Sequence, residues 1–145
     1  VRPDDLAITF QWLNDPELRR QSYNSEPVSL EDHTKWFNKK LKDTSTYIYI
    51  FVYKQIPVAQ VRFDVGDETI ISYSIDKSYR GRGWGEAVIQ HGIEIFRRDF
   101  TGPVKIVGYV KYENESSNRV FRNLGFIQHN TGVYPNSHKY EFLKS

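Results

Sequence analysis

The sequence contains no cysteine and no methionine. The first absence excludes a disulfide framework, a thiol nucleophile and every Cys-ligated metal or cluster. The second extends to position 1, a valine, so the chain is expected to be a processed form or a piece of a longer protein. Long apolar runs are missing as well: none approaches the ~18 residues of a membrane-spanning helix, and the N-terminal residues do not read as a secretory leader. Nor does charge of one sign dominate. Twenty Lys and Arg against eighteen Asp and Glu leave +2, so net charge gives no reason to expect a nucleic-acid partner. The four histidines (33, 91, 129 and 138) lack metal-ligand spacing, and no metal is expected. What remains is 145 residues, 39% hydrophobic and 26% charged. That composition suits one α/β domain over 1–145, with no membrane partner and a cytoplasmic location.

No repeat or Pro/Gly/Ser linker divides the chain. Asp4-Asp5 is placed to cap a helix with an apolar stripe of Leu6, Phe10 and Leu13, stopped by Pro16. Ser29-Leu-Glu-Asp32 is a capping box opening a second helix, with Leu30, Phe37 and Leu41 on one face. The period then changes to that of strands: Tyr47–Tyr53, a turn at Gln55-Ile-Pro, Val58–Phe63, a turn at Asp64-Val-Gly-Asp67, and Thr69–Ile75. Three strands with short turns read as an antiparallel meander. A helix with Trp84, Val88, Gly92, Ile95 and Phe96 along one side follows, then a strand at Val104–Val110. A helix from about Asn114 to Leu124 places Ser117, Val120, Phe121 and Leu124 together and ends at Gly125. Phe126–Gln128 and Tyr134–Leu143 read as two last strands.

Between the third strand and third helix lies Arg80-Gly-Arg-Gly-Trp-Gly85. Alternating glycines let backbone approach a ligand closely, and a helix N-terminus offers unpaired N–H groups. Arg80 and Arg82 add charge suited to phosphate oxygens. A phosphate or pyrophosphate is the natural ligand; a plain connection with two solvated arginines is the alternative. The dinucleotide pattern G-x-G-x-x-G fails, because the third glycine comes one residue early and Glu86 stands in its place. A Walker A loop fails for want of Gly-Lys-Ser/Thr.

The loop resembles the Gln/Arg-x-x-Gly-x-Gly/Ala loop of the GCN5-related N-acetyltransferase (GNAT) family. The run Val110-Lys-Tyr-Glu-Asn-Glu-Ser-Ser-Asn-Arg-Val-Phe-Arg-Asn-Leu-Gly-Phe126 resembles that family's second signature, an Asn after a strand and a helix ending in Gly-Phe. The resemblance implies the GNAT fold: a mixed sheet with an antiparallel second-to-fourth-strand meander, a splay between the fourth and fifth strands, and about four flanking helices. It also implies acetyl-coenzyme A (acetyl-CoA) in the splay and an N-acetyltransferase activity. The family's first strand would be clipped to Val1-Arg2.

By the same resemblance, the backbone of Arg80, Gly81, Arg82, Gly83, Trp84 and Gly85 would hold the pyrophosphate. The Ser74–Ile75 backbone would pair with the pantetheine arm, Asn114 and Ser117 would lie near the thioester end, and Phe121 would pack on the core stripe or the cofactor arm. Asn114 serves equally well as a helix N-cap. The family's usual proton donor is a Tyr four residues before the Gly of Gly-Phe; here it is Phe121. A water or another hydroxyl would then supply the proton, with Ser117 and Tyr109 as candidates, and His33 and Glu68 are candidate bases. His33 shares the stripe of Leu30 and Phe37 and is expected to point inward, as a structural histidine there also would.

The N-terminal segment, Phe10-Gln-Trp-Leu-Asn-Asp-Pro-Glu-Leu-Arg19 with Asn24-Ser-Glu-Pro and His33-Thr-Lys-Trp-Phe37, resembles the subgroup acetylating nucleotide-linked amino sugars of pseudaminic and other nonulosonic acid pathways. That resemblance implies the 4-amino group of a UDP-linked dideoxy sugar as acceptor, and Trp12, Asn14, Arg19, Asn24 and His33 as contacts. Gln60 and Arg62 share one strand face, and Ser72 and Ser74 another; should these coincide they form a polar floor. A homodimer, or a fusion to another enzyme of the same pathway, is the further partner expectation. Two other readings stand beside this one: acetylation of protein N-termini, and a non-catalytic acyl-CoA-binding module.

Overall fold

The structure is a computed structural model describing residues 5–14, 28–42, 45–81, 83–130 and 136–142. Strands β1 (Thr46–Tyr53), β2 (Ile56–Asp64) and β3 (Thr69–Ile75) form the expected antiparallel meander. Its first turn falls earlier than Gln55-Ile-Pro. Lys54 and Gln55 take positive φ (49° and 68°), a two-residue hairpin turn whose twist matches the strands it joins. Ile56 and Pro57 therefore belong to β2, opposite a register shift between Phe51 and Val52.

Helix α1 (Leu6–Leu13) and helix α2 (Leu30–Lys42) precede the meander. On α1 the buried residues are Thr9 and Trp12, while Leu6, Phe10 and Leu13 are half-buried. The stripe is rotated because Trp12 and Thr9 have polar partners inside the protein, described below. Asp5 caps α1 without a side-chain bond to its first turn. On α2, Asp32 N donates to Ser29 Oγ at 3.1 Å, as a capping serine requires. His33 and Phe37 are buried, at 2% exposure each, but Leu30, the first residue of the helix, is exposed. Pro16, Val1-Arg2, Asp4 and Tyr134 lie outside the described residues, as does the side chain of Leu41.

Helix α3 (Trp84–Asp99) packs its buried face against the meander, with Phe96 stacked on Phe63 at 4.3 Å. Strand β4 (Ile106–Lys111) begins later than Val104, and helix α4 (Glu115–Asn123) runs to Gly125 at φ 83°. Strands β5 (Ile127–Asn130) and β6 (Ser137–Glu141) form a final antiparallel hairpin. The six-stranded sheet has the order β1-β2-β3-β4-β6-β5. Its one parallel pair, β3 with β4, is short: Thr69 pairs with Ile106 and Ile70 with Val107. Beyond those residues the two strands part. The sheet is the expected mixed one, and its opening lies where β3 runs on to the glycine loop.

Asn118, buried on α4, secures the far side of the opening. Its Nδ2 donates to the carbonyls of Asn114 (2.8 Å) and Lys111 (3.0 Å), and its Oδ1 accepts from Tyr140 Oη at 2.6 Å. One amide thus satisfies the end of β4, the start of α4 and a phenol of β6. This residue type, read from sequence, gave no sign of that role.

Candidate active site

Two cavities meet at the opening. One, of 420 Å³, runs along the glycine loop and the first turn of α3. The other, of 650 Å³, lies between β2–β3, β4 and the two N-terminal helices. Tyr73, Ser74, Asn114 and Ser117 border both.

The smaller cavity is built mostly of backbone. Gly81 and Gly83 have φ of 77° and 75°, where an L side chain is strained, and Gly83 is the N-cap of α3. The unpaired N–H groups of the helix start therefore face the loop. Tyr79 and Trp84 stack across the loop at 5.4 Å and close it from its two ends. Arg80 lines the cavity, but its Nε donates to the Ile75 carbonyl at 2.9 Å. Arg82 lies outside the described residues. Asp76, just before the loop, accepts from Ser78 N (2.9 Å) and from Trp12 Nε1 (2.8 Å). Against the desolvation that would raise it, these bonds hold the Asp76 carboxyl below its ordinary pKa.

The opened edge of β3 presents alternate residues. Thr69 N donates to Lys105 O on the β4 side, and Asp76 N donates to Val58 O on the β2 side. By alternation, the backbone groups of Tyr73 and Ile75 face the opening, while those of Ser74 face β2. Of the expected Ser74–Ile75 edge, Ile75 faces the opening together with Tyr73, and the Ile75 carbonyl accepts from Arg80 Nε. Ser74 presents its side chain instead, accepting from Gln60 Nε2 at 3.2 Å.

The larger cavity holds the polar floor. Gln60 lies opposite Ser74 and Arg62 opposite Ser72, so the two polar faces are one, and all four residues line it. Arg62 lies over the Trp36 ring at 5.6 Å and beside Asp64 at 2.9 Å. Asp32 is the only carboxylate among the described lining residues, against the cations Arg62 and Lys111.

His33 lines this cavity from a box of Phe10, Trp36 and Phe37 rings at 5.6–5.9 Å. Thr9 Oγ1 lies 3.0 Å from its Nε2 and within reach of two carbonyls, Asp5 at 2.9 Å and Leu6 at 3.1 Å. The single hydroxyl proton goes to a carbonyl, so the Thr9 oxygen accepts from Nε2–H. That assigns the neutral tautomer. Nδ1, buried and without a hydrogen-bond partner, is left with a bare lone pair. Burial lowers the His33 pKa, with the Leu6 carbonyl acting in the opposite sense.

Several expected contacts sit elsewhere. Trp12 is buried against Asp76 and does not line the larger cavity. Asn14 spends its amide on the backbone of Val28, donating to its carbonyl (2.8 Å) and accepting from its N–H (2.6 Å). Arg19 and Asn24 lie outside the described residues. Glu68 lines neither cavity; it bonds Lys139, accepts from Tyr109 Oη at 3.2 Å and faces Lys105 at 3.5 Å. The Lys139 bond is the main reason its carboxyl titrates low. Tyr109 borders the larger cavity with its hydroxyl already given to Glu68. Phe121 borders the larger cavity, not the smaller one. Sequence reasoning missed Tyr73, whose aromatic ring in an alternating strand reads as core.

The sheet order, the opened parallel pair and the glycine loop at a helix start define an acyltransferase fold. Residues 1–127 match the family model described as acetyltransferase (GNAT) domain, and the chain belongs to that family. It is an N-acetyltransferase, with acetyl-CoA as the acetyl donor. The spermidine N-acetyltransferase of Vibrio cholerae, solved with CoA and spermine, is similar in fold: TM-score 0.85, 15% identity, 98% of this chain and 91% of that one. A ribosomal L7/L12 alpha-N-protein acetyltransferase in complex with coenzyme A superposes at TM-score 0.81, with 16% identity over 99% and 90% of the two chains. An aminoglycoside acetyltransferase in complex with ribostamycin and coenzyme A gives 0.80, with 19% identity over 97% and 88%. No curated protein matches the sequence significantly. The smaller cavity fits the donor: positive-φ glycines at a helix N-terminus suit a pyrophosphate, and the open β3 edge suits an extended amide-bearing arm. No helix among the described residues is long and apolar enough to cross a membrane.

Proposed function

We propose that this protein transfers the acetyl group of acetyl-CoA to the 4-amino group of a UDP-linked dideoxy amino sugar, in the cytoplasm, by direct attack in a ternary complex. The observation that carries the acceptor class is the charge of the larger cavity. Its described lining residues include one carboxylate, Asp32, and two cations, Lys111 and Arg62, the latter partly met by Asp64 behind it; so sparse a carboxylate lining favours an amine that also bears anionic groups over a polycation. The polar floor of Gln60, Arg62, Ser72 and Ser74 offers donors and acceptors for a sugar or a diphosphate.

Two adjoining cavities support direct transfer, as does a sequence with no cysteine to carry an acetyl-enzyme. The donor supplies a thioester carbonyl; the chain orients it along the β3 edge and holds its pyrophosphate on the glycine loop. His33, neutral and with Nδ1 unpartnered, is the base that takes the amine proton. Burial in the ring box holds its pKa below the ordinary value, which keeps the imidazole neutral and able to accept a proton.

Mass spectrometry of the products from acetyl-CoA with a UDP-4-amino-dideoxy sugar, spermidine and N-terminal peptides tests this reading. The nucleotide sugar should gain one acetyl group and the others none. Acetylation of spermidine or peptide, with the sugar untouched, would overturn the acceptor.

A further inference from the structure

The position that the sequence resemblance gives to a proton donor holds Phe121, which has no proton to give. Its ring is also packed where a hydroxyl would have no room. Phe121 stacks on Tyr140 at 5.3 Å and meets Phe126 edge-on at 4.9 Å. Its Cζ lies so close to β4 that a Cβ on Gly108 would come within 2.9 Å of it. A donor of protons must therefore stand elsewhere on the wall common to both cavities.

That wall has four residues. Asn114 is an amide with no acidic proton, its Oδ1 capping α4 by accepting from Ser117 N at 3.3 Å, and Ser74 Oγ is partnered by an amide, Gln60 Nε2, which cannot replace a proton that Ser74 gives up. The other two bond each other: Tyr73 Oη and Ser117 Oγ are 2.7 Å apart. The Tyr73 ring is held edge-on by Phe121 at 6.2 Å and 71°. The phenol lies beside the first turn of α3, where a Cβ on Gly85 would be in ordinary contact with its oxygen at 3.7 Å.

We propose that Tyr73 and Ser117 form a two-hydroxyl proton relay, in which Ser117 protonates the sulfur leaving the donor thioester and Tyr73 replaces the proton. The relay rests on the acetyl-transfer reading but not on the identity of the acceptor. As the amine nitrogen forms its bond to the acetyl carbon, the carbon–sulfur bond breaks and its electron pair leaves with sulfur. Sulfur takes the Ser117 proton, and Ser117 takes that of Tyr73. The phenolate regains a proton from solvent, to which the base returns the one taken from the amine. The net result moves one proton from nitrogen to sulfur. Burial keeps the phenol protonated near neutral pH, so the relay is loaded at rest. Ser117 touches the reacting atoms; Tyr73 acts through it and is a positioning residue.

The test compares the wild type with Tyr73→Phe, Ser117→Ala and the double variant. Thiol release is followed with the acceptor the product panel identifies. The pKa of the thiol of bound CoA is followed by NMR of a labelled methylene next to sulfur. Each single variant should lose roughly 100-fold in kcat with acetyl-CoA affinity retained, and the double variant should lose no more than the worse single one. The bound thiol should titrate lowest in the wild type, where two hydroxyls solvate its thiolate, and higher in every variant. Retained CoA affinity in Tyr73→Phe separates a lost proton from a lost fold. Wild-type kcat in Tyr73→Phe, losses that multiply in the double variant, or an unchanged thiol pKa would each overturn the relay. If no amine in the panel is acetylated, the acceptor reading fails, and the thiol titration still decides the relay.

Discussion

The indole N–H of Trp12 donates to Asp76 Oδ2 at 2.8 Å across 64 residues of sequence. It joins α1, which borders the acceptor cavity through Thr9 and Leu13, to the turn that leads into the donor loop. Trp12→Phe keeps most of the buried ring and removes only the donor. A hydrogen bond to a charged acceptor contributes about 1.5–3 kcal/mol, so Tm should fall by several degrees. Acetyl-CoA binding should weaken as well, because Asp76 also accepts from Ser78 in the turn before the loop. Thermal denaturation and a calorimetric titration read the two effects. Unchanged affinity would mean that the tie does not set the loop.

Two glycine substitutions should separate binding from stability. Gly83→Ala places a methyl at positive φ, a strain of about 1–2 kcal/mol, but meets no atom within 4 Å. Its main effect should be a tenfold or greater loss of acetyl-CoA affinity. Gly108→Ala drives a methyl into the Phe121 ring and should cost about 1–3 kcal/mol by overpacking. Unchanged acetyl-CoA affinity in Gly83→Ala, or an equal loss of affinity in Gly108→Ala, would contradict this division.

The two carboxylate and imidazole candidates should part in kinetics. His33→Gln should reduce kcat roughly 100-fold or more while leaving the acetyl-CoA dissociation constant unchanged. Glu68→Gln should leave kcat near wild type, since Glu68 borders neither cavity and is held by Lys139 and Tyr109. Steady-state rates on the acetylated product give both numbers. A large loss in Glu68→Gln would restore it as the base.

Stability against pH should show two separate steps. His33 has its folded pKa below the ordinary 6.5, so the unfolded chain binds its proton first, and stability declines as pH falls from about 6.5 toward the folded value. Glu68 has its folded pKa below the ordinary 4.5, so its contribution holds above that pH and is lost as pH falls through the folded value. Denaturant midpoints measured from pH 8 to pH 3 should lose the upper step in His33→Gln and show a smaller lower step in Glu68→Gln, Asp76 supplying the remainder. Persistence of the upper step in His33→Gln would assign it to another group.

Features set by neighbouring residues could be read directly from the sequence. The meander follows from alternation and short turns, α3 from its 3.6-residue stripe, and the end of α4 from Gly125 at φ 83°. The donor loop was legible for the same reason: Gly81 and Gly83 must adopt positive φ, and the helix start follows at once. The hairpin turn at Lys54-Gln55 was not, because neither residue ordinarily takes that conformation. There the pairing of β1 with β2 overrides local preference.

Acceptor-side residues were harder to read, because polar side chains there have two uses that look alike in sequence. Asn14 has the composition of a sugar contact and serves as a clamp on Val28. Trp12 has the composition of a stacking platform and serves as a donor to Asp76. Tyr73 reads as a core aromatic and stands instead where the cavities join.

The sequence by itself determined the glycine loop at the start of α3, the family and the phenylalanine at position 121. Each depends on residue identity or on spacing within a few residues. Only the tertiary structure decided which hydroxyls meet at the junction, which tautomer His33 takes and where the β3 edge opens. Those depend on contacts such as Tyr73 with Ser117 and Thr9 with His33, 44 and 24 residues apart. Such distant partners meet only once the sheet has parted and the helices have packed against it.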